Sequence, residues 1–235
     1  MSDDLRPYVP RLTPTPERPL QGLTVLVIED SRFASEAIRL LCLRSGGRIR
    51  RADSLAAAHR HLAVYRPSVV IADIGLPDGS GSEIIAELNA TTPRVPVLLG
   101  TSGDPGTEAV ALAAGADGFL PKPVESLAVF QQTILHHLPA DDAQAGPRAL
   151  PVDTVSPDPV ALQDDLVHAA EIIANAEPGA APYVAQFLGA VAHSAQDAEM
   201  EAAAWQAQDG AEGAIKTLAA LVENRLAMLR AGSAA

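Results

Sequence analysis

Cysteine is nearly missing from this chain: Cys42 is the only one in 235 residues. An internal disulfide framework is therefore excluded, and the chain fits a reducing compartment. Cys42 falls within a helical pattern and is expected to be a small buried hydrophobe rather than a reactive thiol. Long apolar runs are missing too. A membrane span needs about 20 apolar residues, whereas the longest candidates here, Thr24–Ile28 and Val69–Ala72, are strand-sized. The N-terminus, MSDDLRPYVPRLTPTPERP, has no apolar signal core. These absences predict a cytoplasmic protein with no membrane partner. Basic residues are scarce: 17 Lys and Arg face 29 Asp and Glu, for a formal net charge of −12. That balance argues against non-specific affinity for nucleic acid. Apolar residues are plentiful at 48%, which excludes a disordered polymer and permits a sizeable core.

The chain divides by composition. Residues 1–21 carry Pro7, Pro10, Pro14, Pro16 and Pro19, which predicts an extended, poorly ordered arm. Residues 22–138 alternate apolar runs with helical periodicity. LTVLVI (23–28) reads as a strand, and Ser31–Arg44 as a helix with Ala34, Ala37, Ile38 and Leu41 on one stripe. RIRRAD (48–53) is an edge-like strand, after which Ser54 caps a helix through Val64. PSVVIAD (67–73), a short helix Ser82–Asn89, and VPVLLGTS (95–102) follow. Pro105–Ala114 is helical, ADGFLPKP (116–123) is a short strand, and Leu127–Leu138 closes as a helix. Unbroken rather than alternating apolar strands mean burial on both faces. The expected fold is α/β: a doubly wound parallel sheet with helices on each side. Ligands of such sheets bind beyond the carboxyl ends of the strands.

Residues 139–157 read as a linker, and 158–231 as a smaller all-α domain of three helical patterns. The first starts at Asp158-Pro159, the second runs from Pro182 to Gln208, and the third from Ala211 to Ala231. Trp205 is placed on the apolar face of the second. From 151 onward three basic residues, Lys216, Arg225 and Arg230, meet twelve acidic ones. A DNA reader needs a basic stripe, so DNA is not an expected partner.

The chemistry concentrates at predicted strand ends. Glu29-Asp30 follows the first strand, Asp73 ends the third, Thr101 the fourth, and Lys122 the fifth. Three clustered carboxylates are costly unless a cation neutralises them. Hard carboxylate oxygens suit Mg²⁺ (or Mn²⁺), and an ionised Asp is a competent nucleophile toward phosphorus. Each residue also has a plainer reading alone: a strand-end cap for Asp73, a surface lysine for Lys122, a β residue for Thr101. Their joint placement is what singles them out.

VLVIEDSRFAS, VVIADIGLPDGSG, VPVLLGTSG and GADGFLPKP, in this order, resemble the receiver domain of two-component response regulators, the CheY-like family. The likeness covers about half the chain. It implies a flavodoxin-like five-stranded sheet of order 2-1-3-4-5. It also implies a phosphorelay protein that accepts a phosphoryl group on Asp73 in a Mg²⁺-dependent reaction and signals through protein–protein contacts. Asp30 and Asp73 would be metal ligands, with the Gly75 backbone carbonyl a third and Glu29 acting through water. Thr101 and Lys122 would read the phosphoryl group, Phe119 would be the switching aromatic, and Lys122–Pro123 a cis peptide. The implied donor is a histidine kinase or histidine phosphotransfer protein. By this reading the chain is not an enzyme, since it assists only its own phosphorylation and dephosphorylation.

Two rivals remain. One is a non-cycling scaffold; the other is a Mg²⁺-dependent phosphatase with an Asp nucleophile, which would want a carboxylate where Gly75 stands. In the helical tail, AIKTLAALVENRL faintly resembles a phosphotransfer helix, with Ala220 where the reactive His belongs. The tail then reads as a degenerate bundle or a homodimerisation element. Arg44, Arg48, Arg50, Arg51, Arg60 and Arg66 form either a solvated face or a docking surface with Phe33 as its apolar anchor.

Overall fold

The computed structural model describes residues 13–139, 149–175, 180–211 and 213–232. The receiver part runs β1 (Thr24–Ile28), α1 (Arg32–Arg44), β2 (Arg48–Ala52), α2 (Leu55–Leu62) and β3 (Val69–Asp73). A two-residue pair follows, β4 (Gly75–Leu76) and β5 (Gly79–Ser80), then α3 (Gly81–Ala90) and β6 (Val97–Ser102). It closes with α4 (Thr107–Ala113), β7 (Gly118–Pro121) and α5 (Leu127–His137). Serine starts four of these helices. Ser31, Ser54 and Ser126 accept from the backbone N–H three residues on, and Ser80 forms a reciprocal capping box with Glu83.

The sheet order is β2-β1-β3-β6-β7, all parallel, with β4 and β5 forming a separate antiparallel pair in the loop after β3. Leaving that pair aside, this is the expected order. Successive side chains on a strand point to opposite faces. Val25, Val27, Ile71 and Leu99 accordingly pack with Leu41 and Phe130 on one face. Leu26, Ile28, Val70 and Leu98 pack with Ile85 and Ala58 on the other. This two-sided burial is why the strands read as unbroken apolar runs. In register, Asp73 stands beside Thr101, so the carboxyl ends of β3 and β6 share one edge.

The connecting segments depart from expectation. Residues 1–12 of the expected arm lie outside the described residues. The rest turns back onto the sheet: Leu20 is fully buried, and its N–H donates to the Ser45 carbonyl. Of the expected linker, 140–148 lies outside the described residues. Its end is pinned to α5. Thr154 bridges Ser126, the Val155 N–H donates to Glu125, and the Val155 side chain joins the core.

The helical region holds α6 (Pro159–Asn175), α7 (Ala180–Ser194), α8 (Ala198–Gln208) and α9 (Ala214–Gly232). The single helix expected over 182–208 is two. The chain breaks at Gln196, whose φ is +57°, and Asp197 restarts it by accepting from the Met200 N–H. The break rotates α8, and Trp205 emerges 45% exposed instead of on a buried face. Leu166, Phe187, Leu188, Val191, Met200, Leu218 and Val222 build a separate helical core. Among the described residues, no helix is long and apolar enough to cross a membrane.

Candidate functional site

The sheet delivers its polar residues to one end. Glu29 and Asp30 leave β1, Asp73 ends β3, Thr101 lies in β6, and Lys122 follows β7. Glu29, Asp73, Thr101 and Lys122 are buried, and Asp30 is half-buried. Oxygens of Glu29, Asp30 and Asp73 lie within 4.8 Å of one another. The Lys122 ammonium sits 2.8 Å from Glu29 Oε2 and 3.1 Å from Asp73 Oδ2. The Lys122–Pro123 peptide is cis.

The electrostatics are unbalanced. Burial pushes the Glu29 carboxyl well above the ordinary range; Lys122 opposes this, and Asp73 and Asp30 add to it. Burial also raises Asp30, and the charge of Asp73 raises it further. Burial pulls Lys122 down, but Asp73 and Glu29 outweigh it and hold the ammonium above its usual range. One lysine thus serves three carboxylates. Three hard oxygen donors around one point, short of positive charge, fit a divalent cation such as Mg²⁺.

Not every expected residue faces this cluster. The Thr101 hydroxyl donates to the Leu120 carbonyl at 2.7 Å. Phe119 is half-buried against the core, beside Gly100, where a Cβ would crowd its ring and Ala111. Gly75 borders the same cavity as Asp30 and Asp73.

Several residues that motif reading passed over build the site. The Arg51 guanidinium donates to the carbonyls of Glu29, at 3.2 Å, and Asp30, at 2.7 Å, bracing the acidic loop. Of the two readings of the arginine cluster, the docking surface therefore loses Arg51, and it loses its anchor Phe33, which is buried. Arg44, Arg48, Arg50, Arg60 and Arg66 are exposed. Gly81 packs on the Asp73 backbone, where a Cβ would overlap the carbonyl oxygen.

The helical region covers the pocket. Asp165 of α6 accepts from Ser31 Oγ and the Arg32 N–H at 2.7 Å each, and from the Phe33 N–H at 3.0 Å. The Tyr183 hydroxyl of α7 donates to Asp30 Oδ2 at 2.9 Å. His193 Nε2 donates to the Lys122 carbonyl at 2.8 Å, and its Nδ1 faces Glu201 at 2.9 Å. A cavity of about 110 Å³ remains between Asp73 and the helices, bordered by Gln186, Ala190, His193 and Trp205. Ala220 is exposed on α9, and it is α6 and α7 that meet the acidic loop. Nothing in the tail's sequence pattern distinguishes Asp165 or Tyr183 from ordinary helical residues.

Residues 25–133 match the response regulator receiver domain family, and this region is a receiver domain. Response regulator MprA of Mycolicibacterium vanbaalenii is 32% identical over 139 residues, covering 58% of this chain and 60% of that protein. The probable transcriptional regulatory protein TcrX of Mycobacterium tuberculosis is 31% identical over 142 residues, covering 57% of this chain and 59% of that one. The chain thus spans about three fifths of the length of these curated relatives. A crystal structure of a putative response regulator from Chloroflexus aurantiacus aligns with TM-score 0.42 and 25% identity, over 48% of this chain and 92% of that one.

Proposed function

We propose that this protein is a phosphorelay response regulator that accepts a phosphoryl group on Asp73 in a Mg²⁺-dependent (or Mn²⁺-dependent) reaction. The observation that carries the reading is the carboxylate trio Glu29, Asp30 and Asp73 with the Lys122 ammonium against Asp73. A bound divalent cation would neutralise the trio and attract oxygens of the incoming phosphoryl group. An Asp73 carboxylate oxygen attacks phosphorus of a phosphohistidine donor. The O–P bond forms as the N–P bond breaks, and the electron pair leaves with the donor imidazole. Lys122 then compensates charge on the transferred group. The Thr101 hydroxyl exchanges the Leu120 carbonyl for a phosphoryl oxygen, and the loop after β6 and the Phe119 ring adjust with it.

The donor is a histidine kinase or histidine phosphotransfer protein in the cytoplasm, and the output is protein–protein contact. Catalysis is confined to the chain's own Asp73, with no turnover of a free substrate. From 151 onward three basic residues face twelve acidic ones, which disfavours direct DNA reading by the helices. Incubation with a small phosphodonor and Mg²⁺ should label the wild type and leave Asp73→Asn unlabelled. Equal labelling of both overturns the site.

A further inference from the structure

We infer that helices α6 and α7 are a built-in stopper on the acidic pocket, displaced when a cation and phosphoryl group occupy it. This rests on the phosphoacceptor reading above and adds how access to Asp73 is controlled.

Two contacts carry the inference. The first is Asp165. The leading N–H groups of a helix have no partner within it, and Asp165 takes those of Arg32 and Phe33 together with the Ser31 hydroxyl. It is a carboxylate 2% exposed, donated to by the receiver and set on the positive end of α1. The second is Tyr183. Its hydroxyl donates to Asp30 Oδ2, while the Ser31 N–H donates to Oδ1, so both Asp30 oxygens are engaged. The Gln186 carboxamide lies against Gly75 and leaves no space for a Cβ there. The underside of α7 therefore touches Asp30, one of the carboxylates a cation would use, and packs on the neighbouring Gly75, with Asp73 4% exposed beneath it.

A cation cannot take Asp30 Oδ2 on that side while the Tyr183 proton points at it. The docked helices and the filled pocket therefore compete, and the competition is reciprocal. Docking lowers cation affinity by the same factor by which a bound cation weakens docking, so a variant that undocks the helices tightens cation binding and occupancy of the pocket loosens them.

The test uses the full chain. Mg²⁺ affinity is followed through Trp205, the chain's single tryptophan, which borders the same cavity as Asp73. Docking is followed by hydrogen exchange of the Arg32 and Phe33 amides, which Asp165 protects. Tyr183→Phe keeps the ring that packs on Phe187 and loses only the hydroxyl. It should bind Mg²⁺ about tenfold tighter than the wild type. Asp165→Asn should expose both amides before any Mg²⁺ is added and label faster with a phosphodonor. In the wild type, Mg²⁺ with beryllofluoride should raise exchange at the same amides. Equal Mg²⁺ affinity in wild type and Tyr183→Phe, with both amides protected at saturation, overturns the stopper. If Asp165→Asn frees the amides but Asp73 takes no label in any variant, the phosphoacceptor reading has failed. The helices then gate no transfer, and the inference falls with it.

Discussion

Lys122 lies buried between Glu29 and Asp73, and the stability of the pocket depends on its charge. Removing one partner of a buried ion pair leaves the others uncompensated, which costs about 3–5 kcal/mol. Lys122→Met should lose that much in urea unfolding without divalent cation, and less at saturating Mg²⁺ if the trio is a cation site. An equal loss in both conditions would show that Lys122 and a cation do not substitute for one another. Gly81→Ala acts on the neighbouring backbone. Its Cβ would overlap the Asp73 carbonyl, so the end of β3 must shift. About 1–3 kcal/mol of destabilisation is expected, with slower phosphodonor labelling of Asp73. Labelling at the wild-type rate would mean that Asp73 tolerates the shift. Asp30, Asp73 and Lys122 were legible in the sequence because each ends an unbroken apolar run, and parallel strands must bring such ends together. The present partner of Thr101 was not legible, since a hydroxyl on a strand can turn to either neighbour and only coordinates show it on Leu120.

The strands and most helices of the receiver were equally legible, because two-sided burial and serine caps leave local marks. Over 182–208 the sequence reads as one helix because apolar periodicity continues across the break between α7 and α8. The signal there was Asp197, a cap residue inside the pattern, and it was masked by the alanine-rich sequence on both sides. Asp197 does two jobs: it accepts from the Met200 N–H to start α8, and it pairs with Arg225 of α9 through both oxygens. Asp197→Ala should therefore cost about 1–3 kcal/mol, read as a lower urea midpoint of the helical region. The pH dependence has a definite sign. The Arg225 hydrogen bond lowers the Asp197 carboxyl below its ordinary value of 3.8, against some burial, and the Met200 N–H lowers it further. A depressed acid contributes stability above its unfolded-state value and loses it as pH falls through the folded one. Between about pH 4 and pH 3 the wild-type midpoint should fall more steeply than that of Asp197→Ala. Parallel curves would show that the pair adds nothing in solution.

The two apolar clusters of the sheet and the one of the helices are separate, and much of the seam between them is polar. Asp165 on α1, Tyr183 on Asp30, His193 on the Lys122 carbonyl and Gln196 on Glu125 are all hydrogen bonds. Arg32 and Asp164 add an ion pair whose side chains are 62% and 44% exposed, worth about 1 kcal/mol at most. A seam of this kind resembles a transient interface between domains more than a shared core, and such interfaces open without unfolding either side. This is also why the seam could not be read from the sequence. Apolar periodicity predicts what each helix buries among its neighbours, and it is silent on which polar residues meet across a junction. Unfolding should therefore run in two stages. Trp205 emission reports the helical region, and amide exchange at Val70 and Ile71 in β3 reports the sheet, whose fully buried strands lie at its centre. In urea the Trp205 transition should come first, with β3 amides protected to higher concentration. Coincident midpoints would show that the polar seam binds the two parts into one cooperative unit, and the helices could then leave the pocket only by unfolding the receiver.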